Sequence, residues 1–221
     1  MAGWRCFLAA TAVCLISSPA LAEPDDDDRQ AQERAMDALP KGLRALVPDG
    51  HEVLAWRQAD LDRDGRPDLV FILQRTGSVP FDGDRGDAPR AMVVALADSR
   101  GRLRVVAHND GIVRCQNCGG TWPEPFDELL AHRGGFTLSH YGGSRWRWSE
   151  SWRFEFDARS GQWLLAAAEM GADTEDEGHQ VRVYRRNQHF GRIRFDDFKG
   201  DIETRRWQHV APPRPRRSDS R

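Results

Sequence analysis

The chain has 221 residues and a formal net charge of −2 at pH 7. That length suits one domain with a sizeable core and some tail. The near-neutral balance excludes nucleic acid, or an anionic membrane surface, as a partner recruited by overall charge, which leaves small ligands and proteins.

Arg5 precedes an apolar stretch over residues 6–16, and Ser17-Ser18-Pro19 leads into Ala20-Leu21-Ala22, the small-x-small pattern that signal peptidase requires. Residues 1–22 therefore read as a cleavable signal peptide, cut near Ala22, that delivers the chain to the periplasm or the medium. A lipoprotein reading would acylate Cys14, but Thr11-Ala12-Val13 makes a poor lipobox. No other segment approaches the roughly 20 apolar residues of a membrane helix, so no transmembrane anchor is expected. Once the signal is removed, Cys115 and Cys118 are the remaining thiols.

Residues 23–50 form an N-terminal helical segment. After the acidic run Asp25-Asp26-Asp27-Asp28, good helix formers follow over 29–39, with Ala31, Ala35 and Leu39 on one face. Pro40 stops that helix or opens a second short turn, and Pro48-Asp49-Gly50 turns the chain towards a sheet. From residue 51 to 210 the pattern predicts a single β-rich domain, an antiparallel meander sheet or sandwich, mainly β in class and α+β by content. The apolar runs 69–73 and 91–96 suit central strands covered on both faces, and 103–107 gives a third strand. Over 145–157 the even positions carry Trp146, Trp148, Glu150, Trp152, Phe154 and Phe156 while the odd positions are polar, the mark of a strand with one wet face. Turns at Gly134-Gly135, Gly142-Gly143 and Ser160-Gly161 link it by hairpins to 136–141 and 163–167. Residues 173–178 read as an acidic loop, 181–185 as another strand, and 211–221 as a disordered Pro/Arg/Ser tail.

The densest chemical signal is Asp60-Leu61-Asp62-Arg63-Asp64-Gly65-Arg66-Pro67-Asp68. Calcium takes 6–8 oxygens, and alternate positions of a tight loop converge while a glycine permits the sharp turn. Asp60, Asp62, Asp64 and Asp68 would give carboxylates and Arg66 a backbone carbonyl to a structural calcium. An EF-hand is excluded because Phe71 stands where its terminal glutamate belongs and both flanks read as strands. The bland alternative is a solvated Asp/Gly turn. The loop resembles those of integrin-type FG-GAP repeats, a resemblance that implies calcium stapling of a β-hairpin through Asp60, Asp62, Asp64, Arg66 and Asp68. It occurs once here, with Asp82-Gly83-Asp84-Arg85-Gly86-Asp87 as a degenerate echo whose Arg-Gly-Asp tripeptide is read as chance.

Cys115-Gln116-Asn117-Cys118 admits a disulfide, a metal half-site or a redox centre. Export favours the disulfide. No second Cys/His pair completes a zinc site, and a redox centre wants its first cysteine at a helix N-terminus, whereas 112–114 reads as strand and Gly119-Gly120 as turn. A binding surface is expected at Tyr141, Gly142, Gly143, Ser144, Arg145 and Arg147 beside the 115–120 turn, for a protein or an envelope glycan. The alternatives are a periplasmic hydrolase using Glu150 with His108 or His140, and a CxxC redox protein. Glu150 shares the tryptophan face, so it needs either an arginine partner or an open groove. Taken in order, the acidic loop, Cys115-x-x-Cys118-Gly-Gly, Pro125-Phe126 and Gly142-Gly143-Ser144-Arg145-Trp146-Arg147-Trp148 resemble a group of uncharacterised exported bacterial proteins over roughly residues 45–198. That resemblance implies a compartment and an architecture, and no reaction.

Overall fold

The computed structural model describes residues 39–40, 42–78, 88–174, 178–200 and 202. The signal peptide, the helix expected before Leu39, the Arg85-Gly86-Asp87 tripeptide and the 211–221 tail lie outside the described residues, as does the centre of the 173–178 loop. The fold is mainly β: the described residues form nine strands in two antiparallel meanders.

The first sheet runs in the order β1 (His51–Ala59), β2 (Asp68–Arg75), β3 (Arg90–Ala97), β4 (Leu103–Val113). The second runs β5 (Phe126–His132), β6 (Gly135–Gly143), β7 (Arg147–Asp157), β8 (Gln162–Thr174), β9 (Gly178–Arg185). The continuous apolar runs are indeed central strands. In β2 and β3, Val70, Ile72, Met92 and Val94 join a core shared with Leu129, Phe136, Leu138, Trp152, Phe154 and Leu165 of the second sheet. Their neighbours Leu69, Phe71, Leu73, Val93 and Ala95 point the other way into a second cluster. Leu43, Leu46 and Val47 cover that outer face, from a segment holding one short 3-10 turn, Arg44–Leu46. This is the short turn expected after Pro40.

The second sheet keeps one face wet, as the alternation in β7 requires. Trp152 and Phe154 are fully buried, while Ser151 bonds Ser139 across the solvent face. The strand begins at Arg147, so Trp146 stays in the preceding turn and is 58% exposed. Beyond β9 the chain returns to close the core. Phe195 stands edge-on to Phe136 and Phe154, and Phe198 edge-on to Trp152. Buried Asn109 of β4 fastens this segment by donating to the carbonyls of Phe195 and Phe198, so both backbone acceptors are satisfied inside the core.

Candidate functional site

The acidic loop joins β1 to β2 at the seam between the sheets. Leu61 is drawn fully into the core, its amide donating to Asp68 Oδ2 (2.9 Å) while its carbonyl accepts from Trp163 Nε1 (3.2 Å). With Leu61 anchored, the chain doubles back sharply, and Arg63 and Gly65 both take positive φ, at 68° and 88°. The result gathers Asp60, Asp62 and Asp68, which offer oxygens within 4.8 Å of one another. Asp64 stands apart from these three, because its carboxylate is held by the backbone amide and the guanidinium of Arg66. Arg66 itself reaches on to the carbonyl of Ala97 (2.9 Å).

The electrostatics of the cluster are uneven. Burial pushes Asp62 up, opposed by the Asp64 amide and reinforced by the charges of Asp64 and Asp60. Asp68 is also pushed up by burial, although the amides of Ala97 and Leu61 oppose the shift. Desolvation acts on Asp60 as well, but Arg133 and the amides of Gly65 and Asp64 outweigh it and hold that carboxyl below the usual range. One oxygen of Asp60, Oδ1, is enclosed and makes no hydrogen bond of good geometry, the Gly65 and Asp64 amides included. Three crowded carboxylates and an enclosed, poorly bonded oxygen are what a hard cation relieves.

The same loop also ties the two sheets together. Arg133 Nε donates to Asp60 Oδ2 (3.1 Å), the amide of Gly134 donates to the carbonyl of Asp60 (2.8 Å), and Arg63 pairs with Glu155 (3.3 Å). A cation here would brace the junction of two sheets, a wider role than stapling one hairpin.

At the other end of the second sheet Tyr141, Gly142 and Gly143 of the expected binding surface lie against the CxxC turn. Ser144, Arg145 and Arg147 are instead exposed, and none of the six lines the groove beside them. Cys115 and Cys118 form a disulfide with Cα atoms 5.2 Å apart. The turn that follows is stitched to the end of β6: Gly143 donates to the carbonyl of Gly119 (2.6 Å), Thr121 to the carbonyl of Gly143 (3.1 Å), and Tyr141 to the carbonyl of Pro125 (2.9 Å). The glycines make this approach possible, so the backbone of Gly119 and Gly143 is committed to the junction. Gly142 is buried, and a Cβ on it would lie 2.5 Å from the Trp148 ring and 2.7 Å from the Gly119 carbonyl oxygen. Gly143 has φ +110° and would meet the Trp146 carbonyl oxygen at 2.0 Å. Gly143→Ala is therefore expected to lose about 2–3 kcal/mol, combining positive-φ strain with a backbone clash, and urea unfolding would measure it. A loss under about 0.5 kcal/mol would show that the junction is slack.

Beside this junction lies a groove of about 500 Å³. Trp148, Glu150, Met170 and Ala172 form its floor with Gln180, Arg182 and Tyr184 of β9, and Arg114 and Cys118 form its wall. Glu150 is buried and gripped by a bidentate Arg114 fork (2.6 Å for both bonds), whose guanidinium also lies over the Trp148 ring at 4.8 Å. His140, opposite Glu150 on β6, is fully buried; its Nε2 accepts from the Arg114 amide (3.3 Å), which puts the ring proton on Nδ1. Nδ1 faces Glu150 Oε1 at 3.2 Å but off the line of a hydrogen bond, so the Arg114 fork is the firmer hold. Burial pushes the Glu150 pKa up, and the His140 contact with the Arg114 fork outweighs it, leaving the carboxyl below the ordinary glutamate range.

A carboxyl whose folded pKa lies below its unfolded one stabilises the fold at neutral pH, and that stability is lost as pH falls through the folded value. Glu155, held low against burial by His132 and Arg153, adds to the same trend. Melting temperature is expected to fall once pH drops below the ordinary glutamate range, and Glu150→Gln should flatten part of that fall in melts taken across the acid range. An unchanged slope in the variant would remove Glu150 from the account.

No family model matches the chain, and neither a curated protein nor a solved structure matches it. The site is therefore read from its own geometry. His108 does not join Glu150: it lies on the first sheet, 59% exposed, paired with Asp110 at 3.0 Å. Sequence reasoning anticipated an arginine for Glu150 without naming Arg114, and it missed the fork between buried Arg90 and Glu124 altogether. The signal available for the first was the need of a core-facing carboxylate for a cation; for the second, an arginine opening an otherwise apolar strand.

Proposed function

We propose that the chain is an exported binding module of the bacterial cell envelope, braced by calcium at the acidic loop and pinned by the Cys115–Cys118 disulfide, with the groove as its binding face. The observation that carries this reading is a concavity of about 500 Å³ in which Cys118 of the disulfide turn and the Arg114–Glu150 pair meet the inner-face residues of β7, β8 and β9. That volume lies in the range of ligand sites, and its lining combines aromatic and aliphatic floor with a few placed charges. Export to the periplasm or medium rests on the small-x-small pattern ending at Ala22, and the FG-GAP likeness supplies the calcium. Between the two partner classes, the groove favours protein. Trp148 has Arg114 over its ring and Gly142 against its edge, so it offers little free face for sugar stacking.

The hydrolase reading draws support from the His140–Glu150 contact. Both glutamate oxygens are already engaged by Arg114 and the imidazole is enclosed, which is a poor arrangement for a general base. The redox reading draws support from the exposure of Cys118, but Cys115 follows a strand and precedes turns, with no helix N-terminus to stabilise a thiolate. The test is to express the full chain, recover it from the periplasm with its N-terminus at Glu23, and probe it on glycan and peptide arrays alongside Trp148→Leu. Ligands lost in the variant support the module; no ligand on either array, or ligands indifferent to the substitution, would end it.

A further inference from the structure

The groove reaches a strand edge: Gln180, Arg182 and Tyr184 of β9, the last strand of the five-stranded order, are among its lining. β9 pairs with β8 through eight consecutive residues without a break in register, and no strand lies beyond it among the described residues. The direction of its backbone groups can be worked out from one hydrogen bond. The amide of Arg186 donates to the carbonyl of Ala166 (3.0 Å), so it points towards β8. Alternation then directs the amides of Tyr184, Arg182 and Gln180 inward as well, and those of Arg185, Val183 and Val181 outward. Arg185 agrees: its amide donates to His189 Nδ1 (3.0 Å), and its carbonyl accepts from the amides of His189 (3.0 Å) and Gln188 (3.2 Å). The turn after β9 thus closes that end of the edge, while the outward donors and acceptors of Val183 and Val181 meet no group among the described residues.

We infer that β9 and the adjoining groove take an extended, acidic peptide segment of a partner protein, which adds to the five-stranded sheet as a sixth strand. This deepens the binding-module reading and rests on it, because it uses the same groove. Strand addition supplies affinity through the ladder at Val181 and Val183, and alternate side chains of the incoming segment enter the groove beside Gln180, Arg182 and Tyr184. Charge selects the occupant. The side chains of Arg182, Arg185 and Arg186 have no acidic partner among the described residues, unlike those of Arg114, Arg153, Arg192 and Arg194. Since Arg114 neutralises Glu150, the groove presents the surplus positive charge of Arg182 to whatever enters. The same arginines set two copies of β9 against each other, so the edge is guarded against self-pairing while remaining open to carboxylates. Val181, 50% exposed on the opposite face, gives the added strand an apolar contact.

The probe is a fluorescent peptide of four Glu-Val repeats, titrated by anisotropy against the full chain recovered from the periplasm. Two comparison peptides are four Lys-Val repeats, of opposite charge, and four Glu-Pro repeats, of the same charge but without the amides a ladder needs. The Glu-Val peptide is expected to bind at least tenfold tighter than either, and Arg182→Glu to weaken it at least tenfold with an unchanged melting temperature. Val183→Pro removes an outward amide without breaking a bond to β8 and should weaken it similarly. If that variant does not fold, the Glu-Pro comparison carries the ladder argument. Equal binding of the Glu-Pro and Glu-Val peptides would overturn strand addition, as would self-association through β9 or no binding of the Glu-Val peptide. Array ligands sensitive to Trp148→Leu, with no Glu-Val binding, would end this inference and leave the module standing.

Discussion

Calcium added to the chain after chelation is expected to raise its melting temperature by about 3–10 °C, and Asp62→Ala to abolish the rise. A ligand bound only by the folded state stabilises it by about 1.4–2.7 kcal/mol at 10–100 times its dissociation constant. Extracellular calcium modules bind at about 10⁻⁴–10⁻³ M, so 10 mM calcium reaches that range. For a chain of this length each kcal/mol moves the midpoint by about 2–4 °C. The choice of Asp62 matters. Its only hydrogen bond within the cluster is from the Asp64 amide, so its loss costs the calcium-free fold little. Asp68 would be a misleading choice, because it accepts from the amides of Leu61 and Ala97, and removing it strands two buried donors at about 1–3 kcal/mol each whether or not a cation is present. Magnesium should shift the midpoint less than calcium, since it demands a tight octahedron that a crowded loop does not present. A midpoint unmoved by calcium in the unsubstituted chain would remove the brace, and a shift that survives Asp62→Ala would move it elsewhere.

The features legible in the sequence are those whose partners are close in the chain. The acidic loop could be read because Asp60, Asp62 and Asp68 come from nine consecutive residues, and the disulfide because its cysteines are three apart. Strands β2, β3 and β7 were legible because burial on two faces or one leaves a continuous or an alternating pattern. β4 is longer than its apolar start suggests, because Asn109-Asp110-Gly111 carries turn residues in mid-strand. Asn109 is there to hold the returning segment, and that purpose becomes visible only with Phe195 and Phe198 in place. β8 likewise runs past its apolar start through Glu169, Met170 and Gly171, which show no alternation. The site was less legible than the fold. Arg114 and Glu150 lie 36 residues apart and Arg90 and Glu124 lie 34 apart, and no local pattern couples them. In the sequence the tryptophans of β7 formed one uniform face; in the fold that face is divided, with Trp152 sealed in the core and Trp148 lining the groove.

The largest single loss of stability outside the core is expected from Glu124→Ala. Arg90 opens β3 and is only 2% exposed, with both terminal nitrogens committed: to Glu124 at 2.7 and 2.6 Å, to Gln74 at 3.1 Å and to the Arg114 carbonyl at 3.3 Å. Glu124 in turn accepts from the Phe126 amide (2.9 Å), so the pair connects the first sheet to the start of β5 and to the loop carrying the disulfide. Removing one partner of a buried pair leaves an uncompensated charge and typically costs about 3–5 kcal/mol. Glu124 is itself 32% exposed, so water softens the penalty and the lower end, about 3 kcal/mol, is expected. That corresponds to a fall of about 6–12 °C in the midpoint. Replacing both partners tests the physics behind the number. Arg90→Met with Glu124→Met removes the desolvated charges together and should recover most of the loss, so a double-mutant cycle would show strong coupling. Glu124→Gln keeps one carbonyl acceptor and should fall between. Should Glu124→Ala unfold within about 1 kcal/mol of the unsubstituted chain, the Arg90 fork is not what holds the sheets together at the groove end, and Gln74 with the Arg114 carbonyl suffices to satisfy the guanidinium.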